Sequence, residues 1–267
     1  MTTVSWRPVG RAVLNALLTL VIVLALWWAV VNLTGMSPYV AKGPADVWEF
    51  LVSGEEAVAN RADLTPLLTQ TLQDAALGFV AGMGVAGVLA VAFSLSRTVE
   101  AGVMPLALLL RAIPLVSIAP VIILITGRGT QASVAVIGSI VVLFPALASI
   151  LFGLNRASVQ SLDLVHVYGG SRLTTMRKVN IPGALPSLFA AARVSVPGAV
   201  TGALLAEWLS TGTGIGGSIV KFTASARFDD LWASVALITI VTLLLYNVVQ
   251  VIENVVLNRM AMTSAQR

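Results

Sequence analysis

Long apolar runs broken by short polar stretches set the pattern of this chain. Residues 12–34, 75–95, 131–155 and 231–252 hold no charged side chain, 104–126 holds only Arg111, and 187–209 holds Arg193 and Glu207. Each run matches or exceeds the ~20 apolar residues that carry an α-helix across about 30 Å of hydrocarbon. Membrane strands would instead alternate over ~10 residues, and an open sheet edge cannot sit in lipid. The pattern therefore predicts an all-α, polytopic membrane protein with about six transmembrane helices. The first run follows Arg7 and Arg11, as in a signal peptide, but it outlasts the ~7–15 residues of an h-region, so a retained helix is expected.

Composition sharpens this picture. Of 267 residues, 57% are hydrophobic and 10% charged, against roughly 45–50% and about 25% in soluble domains. Too little polar surface exists to face water all round, so lipid is the expected solvent. Cysteine is absent, which removes disulfides and thiol chemistry. The net charge is +4, but the basic residues are dispersed, which argues against nucleic acid as a partner. Their placement suits the positive-inside rule. With the amino terminus inside, the inner ends hold Arg7, Arg11, Arg97, Arg156, Arg172, Arg177, Lys178, Arg259 and Arg267. The outer loops then hold only Lys42, Arg61, Arg128, Lys221 and Arg227. Both termini and the loop 156–186 are thus expected in the cytoplasm, with 35–66 and 210–230 outside. No repeat or linker divides the chain, and one membrane domain is expected over 1–267: a first helix and outer loop (1–66), then a core (67–257).

The loop 161–186 carries the most local information. Ser161 can cap a helix whose first turn holds Asp163, with Leu164, Val165 and Tyr168 on one face. Gly169 and Gly170 can end it through positive φ. Ser171 can cap a second helix bearing Leu173, Met176 and Val179, with Arg177 and Lys178 in its last turn and Pro182 preventing continuation. Periodicity leaves two readings open, an amphipathic hairpin on the headgroups or a docking element for another protein.

At these residues the chain resembles the permease subunits of binding-protein-dependent ABC importers, in the branch that handles sulfonates, taurine, nitrate and similar solutes. That family carries E-A-A, three residues, G, nine residues, I-x-L-P in a cytoplasmic loop. Here Asp163-Leu164-Val165 stands at E-A-A, Gly169 at the glycine, Val179 at the aliphatic position and Ile181-Pro182 at L-P, without a gap. Ala184-Leu185-Pro186 continues the likeness. Arg111-Ala112-Ile113-Pro114 with Ala119-Pro120, Gly127-Arg128-Gly129 before Phe144-Pro145-Ala146, and Ala206-Glu207-Trp208 with 212–217 extend it over about 67–257. One departure is that Asp-Leu-Val keeps the acid but enlarges both small residues.

The resemblance implies the type I importer permease fold and a coupling helix. Asp163, Leu164, Val165, Tyr168 and Gly169, followed by Ser171, Arg172, Met176, Ile181 and Pro182, would engage a cytoplasmic ATPase. The implied partners are two ATP-binding cassette subunits, a second permease copy or paralogue, an extracytoplasmic solute-binding protein and membrane lipid, in a bacterial inner membrane. ATP and Mg would be bound by the ATPase. No cofactor is expected in this chain, which lacks the phosphate-binding G-x-x-x-x-G-K-[ST]. The implied solute is a sulfonate, taurine, a nitrate-like ion or a vitamin precursor.

Other candidates remain open. Gly212, Gly214 and Gly217 match G-x-G-x-x-G, but no strand precedes them, so a flexible outer turn is expected. Intramembrane charges are costly and mark function by default. Arg111 and Pro114 are expected on a translocation path. Arg193 reads equally as a path residue or as snorkelling to headgroups, and Glu207 as an outer gate or an interface residue. Asp74 is expected to be solvated. Prolines 105, 114 and 120 could bend one helix. A lone His166 without cysteine makes a metal site improbable, and no catalytic motif is visible, so no enzymatic activity is expected. Asp46, Glu49, Glu55, Glu56 and Asp63, with Asp229 and Asp230, could face a binding protein. The competing classes are an ion-gradient-driven secondary transporter, which would work without an ATPase, and an intramembrane transferase, which would need clustered acids or histidines.

Overall fold

The computed structural model describes residues 7–260, with side chains from residue 18 onward. Arg267, the chain ends, and the side chains of Arg7 and Arg11 lie outside what is described. The described residues form helices: α1 (Arg7–Leu33), α2 (Pro44–Trp48), α3 (Ala57–Leu95), α4 (Arg97–Ala112), α5 (Leu115–Thr126) and α6 (Gln131–Leu154). The short α7 (Val159–Val167), α8 (Arg172–Thr175) and α9 (Ile181–Gly183) follow, then α10 (Leu185–Ala206), α11 (Gly214–Ala224) and α12 (Phe228–Arg259).

Four helical stretches are long and apolar enough to cross a membrane: α3, α6, Leu185–Thr211 and α12. The expected crossing 104–126 is built differently. It is the bent pair α4 and α5, which meet at 110° and count as a fifth span only if taken together. The break has a local cause. Ile113 is extended (φ −80°, ψ 125°) because the ring of Pro114 disfavours helical backbone before it. Pro105, Pro120, Pro145 and Pro197 stay inside their helices. α1 runs 27 residues, of which Leu18–Leu33 is a described apolar helix.

The chain divides into two compact units. In the larger, residues 65–220 with 237–260, α6 lies against α10 and buries one face along its whole length. Phe93, Ala86 and Ala90 of α3, Val142, Leu147 and Ile150 of α6, and Ala191 and Ala199 of α10 form the main core. A second cluster joins Ile122 of α5 to Val134 and Ile137 of α6 and to Ala206. Alanines and glycines recur where α3, α6 and α10 meet, in keeping with the close backbone contact by which helices associate in lipid.

In the smaller unit, residues up to 64 with 221–236, aromatic side chains fasten the segment after α1. The Trp27 indole donates to the Lys42 carbonyl at 3.1 Å and stacks on Trp232 with 5.9 Å between ring centres. Trp232 in turn donates to the Val40 carbonyl at 2.9 Å. The Tyr39 hydroxyl donates to the Ala226 carbonyl at 3.2 Å, and its ring meets Phe228 edge-on. Indoles suit this task, since one rigid body supplies both an apolar face and a donor.

Candidate functional site

Between α6 and α10 the chain leaves the bundle. Ser158, three residues before the expected cap, opens α7: it has the extended backbone a cap needs, and its Oγ accepts the Ser161 N–H at 3.3 Å. α7 closes where the two glycines predict. Gly169 has φ +73°, its N–H donates to the His166 carbonyl at 2.9 Å, and the Gly170 N–H reaches the Val165 carbonyl at 2.8 Å. This pair of bonds is the Schellman closure. A β-carbon on Gly170 would collide with Val165, whereas Gly169 faces open space, so there the positive φ alone calls for glycine.

Ser171 caps the next turn as expected, accepting the Thr174 N–H at 3.3 Å. Pro182 does not end the helical path. α8 continues through a π-helical turn, Met176–Asn180, into α9, where Pro182 occupies a first-turn position that needs no N–H.

The apolar side chains of this element divide into two sets. Met176 is 2% exposed and packs in the core with Phe93 and Leu154, so it anchors the element to the bundle. Leu164, Val167 and Tyr168 stand out at 59%, 83% and 83% exposure. Asp163, Gly169, Ser171, Arg172 and Ile181 are also exposed, while Val165 and Pro182 are half-buried. The result is a bent element anchored at Met176 that carries an exposed apolar tip, Leu164, Val167 and Tyr168.

The charges within the apolar segments have definite surroundings. Arg193 ion-pairs with Glu253 of α12 at 3.1 Å and lies 5.8 Å from the Tyr246 ring centre. The Arg111 guanidinium sits 4.4 Å over the Phe144 ring, just before the break at Pro114, and remains exposed on this chain. Glu207 is fully buried: its Oε2 accepts from the Thr71 hydroxyl at 3.0 Å and the Gly216 N–H at 2.7 Å. Asp74, expected in solvent, is only 6% exposed and accepts from the Gln70 amide at 3.1 Å.

The turn 212–217, expected to be flexible, is packed tightly around that carboxyl. Gly212 and Gly214 have φ +68° and +63°, and a β-carbon on Gly214 would strike the Glu207 carboxyl. Thr71 and Gln70 carried no signal of their own in the sequence. The glycine string following Glu207 was the available hint. Among the outer acids, Asp46 accepts the Gly43 N–H at 2.6 Å, Asp229 pairs with Lys42 at 3.0 Å and Asp230 pairs with Arg227. These fold their own unit, leaving Glu49, Glu55, Glu56 and Asp63 exposed.

Apolar helices around an exposed, glycine-hinged handle define a multi-pass transport subunit of the membrane. The chain belongs to the family of binding-protein-dependent transport system inner membrane components, whose profile matches residues 78–262. It is 29% identical to a probable ABC transporter permease protein of Haemophilus influenzae, over 87% of this chain and 92% of that one. A riboflavin transport system permease protein of Chloroflexus aurantiacus is 28% identical over 93% of this chain and 89% of its own. The taurine transport system permease protein of Escherichia coli is 26% identical over 90% and 88%. The protein is therefore an ABC importer permease, a non-enzymatic transport subunit with the type I fold, and ATPase and binding-protein partners go with this family in general.

Proposed function

We propose that this chain forms half of a solute pathway, pairs with a second permease copy or paralogue, and is driven through the 158–182 handle by a cytoplasmic subunit that binds ATP and Mg. Two such ATPases, one per handle, would draw together on nucleotide binding and rock the helices between outward- and inward-facing states. Both termini and the handle would face the cytoplasm, and a binding protein would deliver solute from outside. The observation that carries this reading is the exposed Leu164–Val167–Tyr168 tip, held by the closure at Gly169 and rooted in the core by Met176.

Arg111 and Pro114, at the break between α4 and α5, are the pathway residues this reading keeps. Arg193 and Glu207 already have partners within the chain. Taurine and riboflavin, named for two relatives, bracket the solute class as a small sulfonate-like anion or a vitamin precursor.

Replacing Gly169 tests the handle. Gly169→Asp places a β-carbon at positive φ, which aspartate tolerates better than most residues, and adds a charge beside the exposed tip. Membrane levels should persist while uptake and substrate-stimulated ATP hydrolysis are lost. Gly169→Asn, which fits the same positive φ without adding a charge, should retain part of both. Normal uptake by the aspartate variant would refute the coupling role.

A further inference from the structure

Glu207 is the largest buried polar side chain in the larger unit, at 0% exposure within an apolar span. Its two oxygens are treated differently. Oε2 is saturated by Thr71 and Gly216, and Thr71 is itself held by the Ile215 N–H at 2.9 Å. Oε1 is buried and receives no donor. Asp74, three residues after Thr71 on α3, repeats the asymmetry: Oδ1 accepts from Gln70, while Oδ2 is buried without a donor. Asp74 lies one helical turn after Thr71, whose hydroxyl holds Glu207 Oε2 at 3.0 Å, so the two buried carboxyls are neighbours on this face of α3.

Among the described residues, no ion pair joins a basic group to either carboxyl. α3 presents Asp74 with neutral Gln70 and Thr71, and the start of α11 presents the Ile215 and Gly216 amides. α6 offers the neutral Ser133, whose hydroxyl meets Ser210 at 2.8 Å, and the apolar Val134 and Ile137. α12 adds the apolar Ile238 to the neighbouring cluster. The ion pairs among the described residues, Lys42–Asp229, Arg193–Glu253 and Arg227–Asp230, leave both carboxyls out.

Two facing carboxylates would combine like-charge repulsion with two undonated buried anionic oxygens, each a severe cost. One proton removes both. A carboxylic acid on one side donates to the carboxylate on the other, satisfying both orphan oxygens and leaving a single negative charge for the Gly216 amide and the Thr71 hydroxyl. The geometry points to Asp74 and Glu207 holding one proton between them, as an acid–carboxylate clasp that fastens the 212–217 turn onto α3. The glycines of the turn then have a reason: Gly214 leaves room for the clasped carboxyl, and Gly216 brings its amide to it.

Infrared spectroscopy of the full-length protein in lipid nanodiscs tests the clasp. At neutral pH the wild type should show a protonated-carboxyl C=O band that shifts in D₂O, and Asp74→Asn and Glu207→Gln should each abolish it. Both variants should melt within a few degrees of wild type, because the amide NH₂ donates where the proton did. The wild-type melting temperature should drop at alkaline pH as the pair loses its proton, and both variants should lack that drop. Absence of the band at neutral pH in the wild type overturns the clasp, whether or not the variants fold. So does a band that survives both substitutions, or a melting temperature raised by Na⁺ with no band present, which would place a metal cation where the proton is assigned.

Discussion

Gly78 of α3 and Gly138 of α6 touch backbone to backbone: a β-carbon on either would lie 2.8 Å from the other's Cα. Gly202 of α10 approaches the same glycine, its β-carbon position also 2.8 Å from Gly138 Cα. At these glycines three helices approach backbone to backbone. Gly138→Ala should force α3 away from α6 at a cost of about 1–3 kcal/mol, seen as a fall of several degrees in detergent melting. Gly87→Ala, whose β-carbon would meet nothing within 4 Å, should leave melting unchanged or raise it slightly.

Arg193 and Glu253 join α10 to α12 in a setting where the two side chains are 26% and 13% exposed. Removing one partner leaves the other half-buried and unpaired, so Glu253→Ala should destabilise by about 2 kcal/mol after allowance for partial solvation. Adding Arg193→Met should recover much of that loss. A double-mutant cycle read by thermal melting gives the coupling directly. Additive effects would show that the contact carries no energy.

Ala226 is the described non-glycine residue with positive φ, at 57°. It closes α11, with the Arg227 N–H donating to the Phe222 carbonyl at 2.9 Å. Ala226→Gly should relieve left-handed strain and stabilise by about 1 kcal/mol. The Tyr39 bond goes to the main-chain carbonyl and should survive the change. Hydrogen exchange at the Arg227 amide should slow.

Much of this was legible in the sequence because lipid imposes a one-dimensional rule. The uncharged runs became α6, α12 and the carboxyl-terminal part of α3, and Gly169-Gly170 specified its own turn. The break at Ile113–Pro114 was harder to read. Pro105 and Pro120 are accommodated inside helices, so proline alone does not separate a bend from a break. The cap moved from Ser161 to Ser158 because both are capping residues and the local sequence does not choose between them. The burial of Glu207 and Asp74 was not legible, since the partner Thr71 lies 136 residues from Glu207 and the match of burial to hydrogen bonding is a tertiary fact. Arg193 followed the same logic, with Glu253 on a distant helix.

The coupling role proposed for the handle seats the exposed Tyr168 tip in a separate ATP-hydrolysing subunit. The chain contains no cysteine, so Tyr168→Cys creates a unique thiol. In membranes holding the assembled transporter, a short bifunctional thiol reagent should join this cysteine to one placed in the ATPase groove, with a yield that changes when ATP is added. A cysteine that never crosslinks to the ATPase, and is instead labelled by membrane-impermeant reagents from outside, would contradict the account.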